Sequence, residues 1–232
     1  MTVLASTLME ECASDLLDPD YDRWDEDDWL KYLNAGERQL VYLKPSSYTI
    51  STAFQLVEGI RQSIPSGGIE LVDITRNMGI DGLSPGASIT KIDPKDMDEV
   101  FPDWRDVTAS VTVIHFMFDP NDRKSFQIYP KQPAASNGYV EAIRSAVPPP
   151  IVKDGDSYAV AINLDDEYAE PLKNYMKHRA HIVDAQVSQL AYQRSLDSWN
   201  LFLTQIGRKD LIESRLPAKR GKHANSNQPV SQ

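Results

Sequence analysis

Three aspartates recur at alternate positions near the N-terminus, a spacing that is found in calcium-binding loops. Asp18, Asp20 and Asp22 match the first acidic positions of the loop in helix–loop–helix calcium proteins. That loop also needs a glycine at its sixth position and a glutamate at its twelfth, where this chain has Arg23 and Trp29. We therefore interpret the acidic run as the start of a helix and predict no metal site here.

A second group of possible metal ligands lies near the C-terminal end. His178, His181 and Asp184 are spaced by three residues on a predicted helix, so their side chains share one face. Imidazole and carboxylate groups can bind zinc, but the HExxH pattern is missing and a charged outer helix face often has this spacing. We predict no metal. His115, in a predicted strand, is interpreted as a packed or interface histidine.

Sequence motifs for nucleotide binding and nucleophilic hydrolysis are missing. The chain contains neither GxxxxGK[ST] nor GxGxxG, and it contains no GxSxG. The single cysteine, Cys12, lies in a segment with helical apolar spacing, which favours a buried thiol over a nucleophile. Among 34 acidic residues some close pairs are inevitable, so a carboxylate-based hydrolase stays open as an alternative. We predict no catalytic residue and no cofactor.

The four tryptophans are spread along the chain and do not alternate with Lys or Arg, as a stacking platform for single-stranded nucleic acid would require. Large aromatic side chains of this kind serve as core or interface anchors. We choose Trp24, Trp29 and Trp104 as predicted subunit-interface residues.

Charge is unevenly distributed along the sequence. The net charge is −10, but residues 208–232 carry +4 and residues 1–207 carry −14. An acidic body repels DNA, whereas a basic tail can bind phosphate or an acidic protein, or can remain a solvated, flexible end. The first residues lack the basic region of a signal peptide, and no stretch has the apolar length of a membrane span. These features predict a soluble product of the cytoplasm.

Periodicity predicts helices at both ends and strands between them. Apolar residues recur with helical spacing from Val3 to Leu17, and again in a helix capped by Asp25, in which Glu37 and Arg38 face outward. Two further helices follow residue 165, the second ended by Gly207. Residues 46–150 instead show short strands separated by Gly, Pro and Ser turns, together with one short helix capped by Asp93.

We therefore predict an α+β fold in which N- and C-terminal helices form an antiparallel bundle with an inserted small antiparallel β-sheet region. The helical bundle comprises residues 1–48 and 157–207, the β-rich insertion residues 49–156, and an extended basic tail residues 208–232.

Several segments, in this order, resemble the head–tail adaptor (connector) proteins of tailed bacteriophages, especially the short-tailed kind. They are RWDEDDWLKYLNAGERQLVYLKP, LVEGIRQSIPSGGIELVDITRNMGIDGLSPGASITKIDPKDMDEVFPDW, FMFDPNDRKSFQIYPKQP, YVEAIRSAVPPPI and DEYAEPLKNYMKHRAHIVDAQVSQLAYQRSLDSWNLFLTQIG. Together they cover most of residues 20–207, and the resemblance rests on their order and character more than on any single motif.

The resemblance implies a structural virion protein and no enzyme. It implies a ring of about twelve copies beneath the portal protein, joined on its other side to the tail (nozzle) protein. Viral DNA would pass through the channel without specific binding, and no membrane would be involved. The protein would lie at the head–tail junction of the virion, after assembly in the host cytoplasm.

The resemblance also implies that a C-terminal segment reaches the portal. The basic residues of the tail are the predicted portal-docking residues: Arg208, Lys209, Arg215, Lys219, Arg220 and Lys222. Another tail or tail-tip structural protein, or a carboxylate-based cell-wall hydrolase, is the alternative.

Overall fold

A computed structural model of the protein describes residues 2–185 and 188–213. The helices of this part of the chain are α1 (Ala5–Asp15), α2 (Glu26–Leu43), α3 (Pro94–Val100), α4 (Ala169–Asp184), α5 (Gln189–Gln205) and α6 (Lys209–Glu213). Its strands are β1 (Thr49–Gln55), β2 (Gly59–Ser63), β3 (Gly68–Asn77), β4 (Thr90–Lys91), β5 (His115–Phe118), β6 (Ser125–Gln132) and β7 (Tyr139–Ala146).

Two helices begin at the capping residues that the sequence predicts. Asp25 precedes α2 and its carboxylate accepts the amide N–H of Asp28 at 2.7 Å. Asp93 precedes α3 and accepts the amide N–H of Lys95 at 2.9 Å. A carboxylate at this position satisfies an N–H group that the helix itself leaves without a partner, and it interacts favourably with the helix dipole. Helix capping and the helix dipole therefore account for the acidic residues at the start of α2.

Helices α1, α2, α4 and α5 pack around one apolar core. Leu8, Leu33, Leu172 and Phe202, one from each helix in turn, are all buried in it. Helices α2 and α4 approach closely at Gly36, which has no side chain to separate them. Because the two ends of the sequence supply this core together, neither end can bury its apolar stripe alone.

An extended segment between β7 and α4 completes the helical core. Ile151, Ile162 and Leu164 are buried in that core. The amide N–H of Ala5 donates to the carbonyl of Val160 at 2.8 Å, so the segment also pairs with the start of α1. The prediction of a simple antiparallel helical bundle is therefore wrong, because irregular chain fills part of the space between the helices.

The strands form two sheets, and the predicted single small antiparallel sheet is also wrong. The strand orders are β1–β7–β3 and β2–β6–β5–β4, and the pair β4–β5 is parallel. The sheets pack face to face over a shared core that includes Ile74 and Val140 from the first sheet and Phe116 and Phe126 from the second. The broad class α+β is correct, whereas the architecture within it is not the one predicted.

Strand pairing explains this error. Strands β1, β2 and β3 follow one another in the chain but alternate between the two sheets. The alternation of side chains within a strand shows which faces are covered, but it does not show which other strand is the partner. The division of the chain at residues 49 and 156 stays a prediction. No helix of the described residues has the length and apolar character needed to cross a membrane.

Candidate interaction surfaces

Exposed carboxylates surround the turn between α1 and α2, and we call this surface the acidic corner. It consists of Glu10, Asp20, Asp22 and Glu26. Tyr21 lies among them: burial raises the pKa of its phenol, and the negative charges of Glu10 and Glu26 raise it further. A surface of this charge attracts basic groups and repels the phosphates of DNA.

Two acidic residues next to the acidic corner accept hydrogen bonds from other parts of the chain. The carboxylate of Asp18 accepts the amide N–H groups of Arg23 and Trp24, each at 3.1 Å. Asp27 accepts the hydroxyl of Tyr158 at 2.7 Å. One of the three aspartates with calcium-like spacing, Asp18, is therefore already bound within its own loop. The described residues contain no cluster of three or more potential metal ligands.

The histidines and the aspartate with zinc-like spacing take part in separate interactions. His178 Nδ1 lies 2.9 Å from Ser195 Oγ, which joins α4 to α5. Asp184 forms an ion pair with Arg23 at 2.6 Å. The pKa of His181 is lowered, first by burial and then by nearby positive charge, which keeps its imidazole neutral. His178 and Asp184 therefore join α4 to its neighbours.

A groove of about 480 Å³ opens between the C-terminal end of α1 and the α4–α5 pair. Leu17, Trp24, Leu190 and Ala191 are among its lining residues. Leu17 is 91 % exposed and Leu190 is 62 % exposed, so two large apolar side chains stand in solvent beside the groove. Apolar groups exposed together in this way are typical of a contact surface for another protein.

The three tryptophans chosen for subunit contacts lie in the interior of the described chain. Their exposed fractions are 4 % for Trp24, 0 % for Trp29 and 2 % for Trp104. Trp24 and Trp29 pack edge to face with ring centroids 5.8 Å apart, and the indole N–H of Trp104 donates to Asp98 at 2.8 Å. The structure uses all three for packing within the chain, and only Trp24 also lines the groove described above. Their role in subunit contacts stays a prediction.

A tight helix end fixes the base of the C-terminal tail. Gly207 follows α5 with a φ of 81°. The amide N–H groups of Gly207 and Arg208 donate to the carbonyls of Thr204 and Leu203 at 3.1 and 2.8 Å, which is a Schellman motif. Glycine adopts this left-handed conformation without steric cost, as the sequence predicts for this position.

Two of the predicted portal-docking residues lie within the described chain. Arg208 donates from Nη1 to the carbonyl of Leu43 at 2.8 Å and forms a two-point ion pair with Asp210 at 2.9 Å. Its guanidinium therefore joins the base of the tail to the C-terminal end of α2, whereas Lys209 is exposed. The other four lie outside the described residues: Arg215, Lys219, Arg220 and Lys222.

One buried carboxylate was expected at the surface. Glu37, in the middle of α2, is 1 % exposed. Its carboxylate accepts the backbone N–H of Asn163 at 2.8 Å and the side-chain amide of the same residue at 2.7 Å. Burial raises the pKa of Glu37 despite these bonds. The prediction that Glu37 faces outward is wrong, because the segment that covers it is distant in the sequence.

The only cysteine behaves as the sequence predicts. Cys12 is fully buried in the helical core, and burial raises the pKa of its thiol to about 12. A thiol with this pKa stays protonated near neutral pH and is a poor nucleophile.

The described surfaces, an acidic corner, a groove beside exposed leucines and an anchored base of the C-terminal tail, are features of a protein that works through contacts with other macromolecules. The sequence model of the SU10 adaptor protein family matches residues 1–221, and the chain therefore belongs to that family. It is a structural adaptor protein of a bacteriophage, which confirms the resemblance seen in the sequence. No curated protein matches the chain.

Proposed function

We propose that the protein forms a closed ring of about twelve copies beneath the portal and joins the capsid to the tail around the DNA channel. Membership of the SU10 adaptor protein family is the observation that supports this most strongly. In such a ring, one face of each copy contacts a different face of the next. The groove between α1 and the α4–α5 pair is lined by both apolar and charged side chains, with Leu17 and Leu190 exposed, and this mixed surface is suited to such a contact.

The charge of the body suits the wall of a DNA channel. Residues 1–207 carry −14, so the body as a whole repels phosphate. Each Lys or Arg placed on a phosphate would add affinity through counterion release, and an acidic wall avoids that retention. We expect the protein to show no retardation of duplex DNA in a gel at low salt, about 50 mM. Retardation at that salt concentration would contradict this role for the acidic body.

The tail is proposed to dock on the portal. Arg208 and the Schellman motif at Gly207 fix the base of the tail beside the end of α2. Residues 214–232 contain four basic residues and no acidic residue. A short basic segment held at one end can bind an acidic surface of a neighbouring protein with little loss of translational freedom.

Co-sedimentation with portal rings tests the docking of the tail. One variant ends at residue 213, and a second neutralises the four cations of the tail by changing Arg215, Lys219, Arg220 and Lys222 to Gln. We expect both to lose portal binding. A control neutralises four exposed lysines of the body instead, Lys31, Lys91, Lys95 and Lys124, and should retain it.

Two results would contradict the proposal in different ways. Full binding by the chain that ends at residue 213 would exclude docking through residues 214–232. A reconstruction of the virion vertex that shows the protein away from the head–tail junction would exclude the ring beneath the portal, and would favour the alternative of another tail structural protein.

A further inference from the structure

Strand β1 lies at the edge of the first sheet and pairs only with β7 among the described residues. The pairing runs from Thr49 to Gln55 without a shift of register. The amide N–H of Leu56 donates to Gly138, and the carbonyl of Tyr48 accepts from Ala146. Because hydrogen-bonded positions alternate along an antiparallel pair, the even-numbered residues of β1 bond to β7.

The backbone groups of the odd-numbered residues therefore point away from the sheet. These residues are Thr49, Ser51, Ala53 and Gln55, and all four are exposed. Within the described chain no hydrogen bond reaches their N–H or C=O groups. The strand also contains no charged residue and no proline. An edge of this kind is a template for a strand from another chain.

The other sheet edges carry the protection that β1 lacks. Strand β3 has three charged residues and three shifts of register, and loop residues hydrogen-bond along its outer side. Strand β2 contains Arg61 and a bulge, and β4 has only two residues, one of them Lys91. Charges, bulges and short length are the usual means by which sheets avoid edge-to-edge pairing.

We propose that β1 pairs with β1 of a second copy, antiparallel, about a two-fold axis at Thr52. The strand TISTAFQ is nearly symmetric in residue type about its centre. In this register Thr49 lies opposite Gln55, and Ser51 lies opposite Ala53, so the outward backbone groups bond to each other. The two three-stranded sheets then form one sheet of six strands.

The side chains on the inner face fit the same register. Ile50 lies opposite Phe54 of the second copy, and pairs of aromatic and β-branched residues stabilise antiparallel strands. Thr52 lies opposite Thr52 of the second copy. The side chain of Thr52 is half-buried, and its hydroxyl lies inside its own chain and takes no part in the contact.

This dimer is distinct from the proposed ring. Copies in a ring with rotational symmetry all point the same way along its axis, whereas strands related by a two-fold axis run in opposite directions. The paired state therefore belongs to the free protein, and the contact must open before the ring forms. A single strand pair buries less than the roughly 1,200 Å² of a stable interface, so the dimer should be weak.

Sedimentation of the full chain at about 100 μM tests for the weak dimer that such a small interface gives. We expect the wild type to be mostly dimeric and Ser51→Lys, which places a charge on the free edge, to be monomeric. The matched control Ser66→Lys, in the exposed turn after β2, should remain dimeric. A monomeric wild type, a larger ring, or a dimer that Ser51→Lys leaves intact would overturn the proposal.

Disulfide trapping tests the register. Thr52→Cys places two thiols across the axis at a non-hydrogen-bonded pair, where the Cα atoms come close enough for a disulfide. We expect this variant to form a covalent dimer on mild oxidation and Ala53→Cys to do so at least tenfold more slowly. Equal rates for the two variants would overturn the register. Cys12 is buried and should not contribute.

Discussion

Buried side-chain amides hold the long connections of the β region. The amide of Asn77 donates to the carbonyls of Ala87 and Val113, and its oxygen accepts the N–H of Val113 at 2.8 Å. Gln132 plays a similar part, since its oxygen accepts the N–H of Gly138 at 2.8 Å. Long loops carry many backbone groups that need partners, and these amides supply them.

Replacing Asn77 by Ala should lower the free energy of unfolding by about 2–3 kcal/mol, because the N–H and C=O groups of Val113 lose their partner and the carbonyl of Ala87 keeps only the backbone N–H of residue 77. Urea denaturation measures the change. The control is Asn121→Ala in an exposed turn, which should change stability by less than about 0.5 kcal/mol. Equal effects of the two substitutions would show that the Asn77 bonds contribute little.

Glu37 should give stability a recognisable dependence on pH. Its pKa in the folded state is raised above the ordinary value of 4.5, so between that value and the raised pKa the folded state binds more protons than the unfolded state. Stability contributed by this group therefore falls as pH rises through this window. We expect Glu37→Gln to remove that decline in unfolding curves measured from pH 4 upwards, and an unchanged slope would contradict the assignment.

At the scale of elements, a glycine allows the connection before β5 to pack closely against the start of β7. A Cβ atom on Gly138, just before β7, would lie 2.5 Å from the carbonyl oxygen of Val111. That oxygen belongs to the backbone of a connection which Gln132 also binds. The approach of this connection to β7 therefore depends on a residue without a side chain.

Gly138→Ala should destabilise the fold by about 2–3 kcal/mol, because a backbone atom must move to admit the methyl group. The control is Gly155→Ala, where φ is 60° but no atom lies within 4 Å of the added carbon. Its cost is backbone strain alone, about 1 kcal/mol. Thermal unfolding of both variants separates the cost of the steric clash from the cost of backbone strain. A smaller loss of stability for Gly138→Ala than for Gly155→Ala would contradict this description.

At the scale of the whole molecule, the chain combines an acidic body with a basic tail whose base is part of the helical region. Leu211 and Ile212 are half-buried against the helical core, and Arg208 bonds to the end of α2. A chain that ends at residue 207 should therefore be less stable than one that ends at residue 213, by about 1–3 kcal/mol of apolar burial and hydrogen bonding. Equal unfolding temperatures for the two chains would show that the base of the tail does not stabilise the body.

The sequence by itself determined the features that depend on neighbouring residues. Asp25 and Asp93 begin helices and Gly207 ends one, because capping involves groups within a few residues of each other. The burial of Cys12 followed from helical spacing, and the order of segments was enough to identify the adaptor family.

Only the tertiary structure decided which strands pair, and therefore that the described strands form two sheets and that β1 is paired on one side only within them. It also placed Glu37 under Asn163 and the predicted interface tryptophans in the interior. These features depend on contacts between residues far apart in the chain, and a local pattern of apolar and polar residues does not record them.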